Sequence, residues 1–207
     1  MKKILALVLV AVSVLGMCWG QYAENPPEWI DSPEDYALEH YPEQYEQYIW
    51  YYISSPEYAK GRAAAKRLAE NEFVLEFLRR LNASYDFAMG GAGGIAGADD
   101  AESLQNIDNG KVLVDYYTAA FENAKFSAYK FLKYYYEQKT GADGKTYYMC
   151  YVYGKVPVKA IDNMLLTINQ NAEKYFEKQT GESPSDELKK SMEELSKKML
   201  EDLKSEE

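Results

Sequence analysis

Histidine and cysteine are the scarcest reactive residues in this chain: 207 residues carry one histidine, His40, and two cysteines, Cys18 and Cys150. That shortage excludes the common Cys/His zinc sets assembled within one chain. A Ser-His-Asp arrangement would have to recruit His40, and no G-x-S-x-G stretch presents a nucleophile. His40 lies in the Pro-punctuated EHYPEQ and reads as an exposed surface residue. Cys150, in TYYMCYVYG, alternates along a strand and reads as a small buried apolar residue; with Cys18 in the leader, no internal disulfide forms. Basic residues are also in deficit, 23 against 33 acidic ones, for a formal charge of −10. Nucleic acid is therefore excluded as a partner, because binding a polyanion rests on Lys and Arg neutralising phosphates. An anionic membrane surface would repel the chain as well, so membrane association requires a lipid.

The chain lacks a hydrophobic run long enough to span a bilayer, which takes about 20 apolar residues. What it has is MKKILALVLVAVSVLGMCWGQ, with Lys2 and Lys3 before an uncharged apolar stretch over 4–17. This is the pattern of an export signal occupying residues 1–20. Two cleavage readings are open. In one, LGMC resembles a lipobox and Cys18 is the lipid-attachment residue of an envelope lipoprotein. In the other, signal peptidase cuts after Gly20 and releases a soluble exported protein. Both place the protein in the periplasm or at the outer membrane.

Cofactor motifs are missing too. GGAGGIAG has neither the G-K-[ST] ending of a phosphate loop nor the dinucleotide fingerprint, and reads as a connector within an irregular loop over 90–109. ADDAESLQNIDNG has acids without the calcium-loop alternation. The acids are so numerous that some pair will be close in space, which makes a carboxylate-pair hydrolase uninformative as a sequence reading. No catalytic residue, metal site or cofactor is assigned.

What is abundant is tyrosine, 20 residues of it. After a Pro-rich arm over 21–44, with Trp29 and Ile30 as its docking point, YEQYIWYYIS over 45–54 predicts a first strand. Residues 58–81 predict a long amphipathic helix with Ala64, Leu68, Leu75 and Leu78 on its apolar stripe, widened by Val74 and Phe77. NASYDFAM over 82–89 predicts a strand. GKVLVDYYTAAFEN over 110–123 suits helix or strand, with helix favoured. Residues 125–138 and 145–154, joined through Asp143-Gly144, predict a hairpin, and 157–180 a second long helix. Ser183 to Glu187 starts a C-terminal helix over 182–207, whose Leu188, Met192, Leu195 and Met199 form a seam for docking on the body.

These elements predict an α+β fold, with a small antiparallel sheet over 45–181 covered by the helices at 58–81 and 157–180 and the C-terminal helix appended. The candidate binding surface is aromatic. Tyr147, Tyr151 and Tyr153 share a strand face, with Tyr134 and Tyr136 on the partner strand, and such a patch would bind an envelope protein or a saccharide by ring stacking.

The order of features resembles the LPP-twenty type of bacterial envelope lipoproteins. An export leader is followed by PPEW, a Tyr-rich strand, the helix AKGRAAAKRLAENEFVLEFLRR, a Gly-rich interruption and GKTYYMCYVYGKVPVKAIDNML. Ala63 to Ala69 and Asp143 to Val156 match the family's Ala-rich helix and its D-G-x-Y-Y strand. YIWYYISS stands where the family has a V-G-x-G-like strand, and Met17 where a small residue usually precedes the lipid-bearing cysteine. The resemblance implies a β-α-β-β sheet packed by helices, envelope attachment and no defined enzymatic activity. The expected function is a non-enzymatic binding or structural module. The alternatives are a periplasmic hydrolase using a carboxylate pair and a self-assembling envelope or flagellar scaffold.

Overall fold

The computed structural model describes residues 26–89 and 110–205. The leader, Cys18 and the Gly-rich segment 90–109 lie outside the described residues. The chain runs α1 (Glu28–Asp31), α2 (Pro33–His40), a 3-10 turn (Pro42–Gln47), β1 (Tyr48–Ser54), α3 (Arg62–Ala88), α4 (Gly110–Glu122), β2 (Lys130–Thr140), β3 (Thr146–Pro157), α5 (Val158–Thr180) and α6 (Asp186–Ser205). The fold is α+β around a three-stranded antiparallel sheet of order β1-β3-β2.

Because side chains alternate along a strand, the sheet has two faces, and each carries its own apolar cluster. The inner face presents Cys150, Val152 and Val156 of β3 with Ile49 and Tyr51 of β1 to the helices. α3 packs on it and runs on to the neighbouring helices with Ala65, Ala69, Phe73, Phe77, Leu81, Tyr85 and Ala88, all buried. Phe73 stacks on Tyr51 at 4.0 Å between ring centroids, and the Tyr51 hydroxyl donates to the Phe73 carbonyl at 2.8 Å. Each such buried ring contributes about 1.5–3 kcal/mol through the water it sheds. The fit is close at Gly154 of β3. A Cβ there would lie 2.8 Å from the Lys130 carbonyl oxygen and 2.8 Å from Phe73 Cζ, so only glycine lets helix and strands approach this far.

Three expectations are corrected here. The stretch 82–89 is the last two turns of α3, not a strand. Ser84, Tyr85 and Ala88 continue the three-and-four spacing of Phe77 and Leu81, and Tyr85 packs on Phe121 of α4 at 4.7 Å while Ser84 donates to Asp202 of α6 at 2.6 Å. The buried stripe is also rotated from the expected one: it keeps Phe77, with Leu78 at its edge, but runs through Ala65, Ala69 and Phe73 and leaves Leu75 48% exposed. Finally, α5 touches β3 and shares the inner-face cluster through Ile161 and Leu165, but most of its contacts are with α4 and α6, so α3 supplies most of the cover.

Residues 110–122 are helical, as favoured. α5 ends at Gly181, whose φ of 79° is the left-handed cap position glycine fills at no steric cost. The Ser185 hydroxyl caps α6 by accepting from the Leu188 amide at 3.2 Å. The α6 seam of Leu188, Met192, Leu195 and Met199 is buried in the same cluster as the α3 stripe, so this helix is part of the core rather than an appendage. Tyr117 of α4 donates to Asn169 Oδ1 of α5 at 2.7 Å, and Asn169 Nδ2 donates to Ser196 Oγ of α6 at 3.0 Å. One polar network thereby ties three helices together.

Candidate functional site

The outer face of the sheet is where the tyrosines gather, and the pairing register decides which ones. Tyr52 and Lys133 flank Tyr153 on β3, Tyr135 faces Tyr151, Glu137 faces Met149 and Lys139 faces Tyr147. A bulge between Phe131 and Lys133 sets the phase of the rest of β2. Tyr134 and Tyr136 consequently turn to the inner face. Tyr134 donates to Glu70 of α3 at 2.6 Å, and the Arg62 guanidinium lies 5.6 Å from the Tyr136 ring and 5.5 Å from that of Tyr148. The five tyrosines expected to form one surface are thus split, three outward and two inward.

The arm covers the part of the outer face around Trp50 and Tyr153. Trp29 is 3% exposed and stacks on Tyr153 at 5.6 Å, as its assignment as docking residue anticipated. Tyr36 meets Tyr153 edge-on at 5.6 Å, and Tyr153 donates to the Pro33 carbonyl at 2.9 Å. Tyr153 itself is fully buried and offers no free surface. His40 stacks on Tyr36 and remains exposed. Two lysines latch the arm: Lys133 donates to the Tyr36 hydroxyl, and Lys155 to Gln44 Oε1. The Lys155 ammonium lies 3.8 Å from the Tyr48 ring and 4.8 Å from that of Trp50, only 4% exposed. Desolvation, helped by nearby Lys130, pulls its pKa below the ordinary lysine value.

Towards the hairpin the face is not buried. Tyr135 and Tyr151 lie with ring centroids 5.8 Å apart, both half-buried, and burial pushes the Tyr151 hydroxyl up to about 12. Mutual backbone hydrogen bonds of 2.8 Å between Ala59 and Tyr148 put the Ala59 side chain on the inner side and turn Tyr58 outward. There Tyr58 reaches Glu137 at 3.4 Å, and its ring carries the Lys139 ammonium at 3.6 Å. Beyond Tyr58 is a shallow depression lined by Tyr58, Lys139, Gly141, Ala142, Asp143 and Tyr147.

The hairpin loop braces this corner with hydrogen bonds. Gly141 donates to the Lys145 carbonyl at 2.8 Å and Gly144, with φ 73°, donates to the Gly141 carbonyl at 2.9 Å. Asp143 Oδ1 accepts from the Lys145 amide at 3.1 Å, and Oδ2 accepts from the Tyr147 hydroxyl at 3.0 Å. The Lys145 amide and the Tyr147 hydroxyl hold the Asp143 carboxyl below the usual carboxylate range. Gly141 backs the Tyr147 ring so closely that a Cβ would lie 2.7 Å from its Cε2.

No family model, curated protein or solved structure matches this chain.

Other chemistries have little to work with among the described residues. No group of three or more His, Cys, Asp and Glu could hold a metal ion, and no helix is long and apolar enough to cross a membrane. A small cavity beside β1 is lined in part by Glu34 and Glu46, but Arg80 and Lys204 line it too. That is the opposite of the apolar wall that keeps a general acid protonated. Cys150 is buried, and desolvation pushes its thiol up to about 11, away from nucleophilic use.

Tyr58, Tyr135, Lys139 and Asp143 are the site residues that sequence reasoning did not assign. A signal for part of them existed. Lys133, Glu137 and Lys139 alternate with Tyr134 and Tyr136, so the charges mark the wet face and put Tyr135 on it.

Proposed function

We propose that the protein is an exported cell-envelope protein, lipid-anchored at Cys18 or released after Gly20, that acts as a non-enzymatic binding module. The export pattern of residues 1–20 supports the compartment, and the resemblance to the LPP-twenty type supports attachment. The observation that carries the binding role is the half-buried group Tyr135, Tyr151 and Tyr147 on the part of the outer face that the arm leaves open. Aromatic rings with polar tips in a patch of this kind are the residues enriched where proteins meet partners. Catalysis by a carboxylate pair is disfavoured because the acids near the face, Glu137 and Asp143, already hydrogen-bond to tyrosine hydroxyls.

Two measurements test the proposal. Intact mass of the native mature protein reports a lipid-modified Cys18 start or an unmodified Gln21 start, and a retained leader contradicts export. A photo-crosslinking residue at Tyr151 should capture a partner that the same residue at Leu166, exposed on α5, does not. Equal capture at both positions removes the surface from consideration.

A further inference from the structure

The depression at the hairpin tip presents a ring that is braced at both its hydroxyl and its edge. Tyr147 is held at its hydroxyl by Asp143 and along its ring by Gly141, in a loop closed by its own backbone hydrogen bonds. Ordering a half-exposed tyrosine costs rotamer entropy at the moment of binding, and these two contacts reduce that cost. The polar groups beside the ring are balanced. Lys139 and Lys145 face Glu137 and Asp143, so the corner carries no net charge within a chain of charge −10.

We infer that this corner is a saccharide subsite, in which the C–H face of an uncharged pyranose stacks on Tyr147 while its hydroxyls donate to Asp143 and accept from Lys139. The inference rests on the binding-module reading and names its ligand class. Each partner has capacity to spare. The Asp143 carboxylate offers about four lone-pair positions; the Lys145 amide takes one on Oδ1, the Tyr147 hydroxyl one on Oδ2, and the Lys145 ammonium lies 3.5 Å from Oδ2, which leaves room for a further donor at Oδ1. The Lys139 ammonium has three donors and sits over a ring rather than on a carboxylate. A polyanionic chain is repelled by the net charge, and a purely apolar ligand would strip water from the Asp143 carboxylate and the Lys139 ammonium without offering either a hydrogen bond in return. The open, shallow shape suits one or two sugar rings and weak binding.

The test is titration of the full exported chain with N-acetylglucosamine, its linear tetramer and maltotetraose, followed by amide NMR shifts. Shifts should gather on Tyr58, Lys139, Asp143 and Tyr147 and saturate in the millimolar range. Response to the monosaccharide would assign a free or chain-end sugar, and response to a tetramer alone the interior of a glycan. Tyr147→Ala should weaken the association about tenfold. Gly141→Ala keeps every contacting group and displaces the ring, so it should weaken binding as well, whereas Phe87→Ala, which removes an exposed ring elsewhere, should leave it unchanged. Absence of shifts with all three sugars up to about 20 mM overturns the assignment, as does an undiminished affinity in Tyr147→Ala. If the sugars fail while the Tyr151 crosslink still captures a partner, the saccharide assignment falls and the binding-module reading stands; failure of both removes both.

Discussion

Removing the Trp29 side chain should open the arm without unfolding the body. Trp29 belongs to the outer-face cluster with Tyr36, Ala37, Trp50 and Tyr153, which is separate from the main core. A buried tryptophan hides about 200 Å² of surface, and at about 25 cal/mol per Å² its docking is worth at most about 5 kcal/mol. The unfolded reference and partial relaxation of the arm reduce that to about 3 kcal/mol for Trp29→Ala. The undocked population should then rise about a hundredfold. Its Tyr36, Tyr41 and Tyr45 lie on the segment that lifts away, so limited chymotrypsin cleavage between residues 33 and 47 should accelerate in proportion. Leu38→Ala, at a residue 52% exposed on α2 of the same arm, is the control and should cleave as the parent does. A rise of less than about threefold for Trp29→Ala would mean that the lysine latches and the Tyr153 to Pro33 hydrogen bond hold the arm alone, and the reasoning from buried area would be refuted.

Gly154→Ala should cost about 1–3 kcal/mol, because the added Cβ meets the Lys130 carbonyl oxygen and the Phe73 ring, and thermal unfolding should shift down by several degrees; an unchanged midpoint contradicts the close approach. Tyr117→Phe leaves Asn169 Oδ1 without its donor, and denaturant unfolding should report a loss of about 1–3 kcal/mol. Burial raises the pKa of Tyr51, Tyr117 and Tyr153 above the ordinary tyrosine value, so the unfolded chain releases these protons first. The stability they contribute is fully present below about pH 10 and is lost as pH rises towards their folded values. Tyrosinate absorbance should show these groups ionising only together with unfolding, and early titration of all tyrosines in the folded protein would contradict it. Cys150 should resist a water-soluble disulfide reagent at pH 8 until denaturant is added, and immediate labelling would show that the inner face is open.

Local chemistry in the chain carried a large part of this fold. Asp143-Gly144 closes the hairpin, Pro157 precedes α5, Gly181 ends it, and Trp29 docks the arm, because each of these depends on residues within a few positions or on one large apolar side chain that must be covered. The same local reading placed α6 against the body, since its seam is too short to stand alone. It failed at residues 82–89, where Tyr and Phe raise β propensity but packing against α4 and α6 makes the helix continue.

Tertiary structure alone decided which tyrosines face which way. A period of two separates side chains into two faces, yet it does not say which face lies under helices or where a bulge shifts the phase, and here the bulge at Phe131 and Lys133 did that. Tyr153 becomes a core residue because an arm more than a hundred positions away folds over it, while Tyr58 joins Tyr147 at the hairpin because Ala59 pairs with Tyr148. Burial and proximity of this kind depend on pairings between distant segments, and those are set by the free energy of the whole packed molecule rather than by any stretch of it.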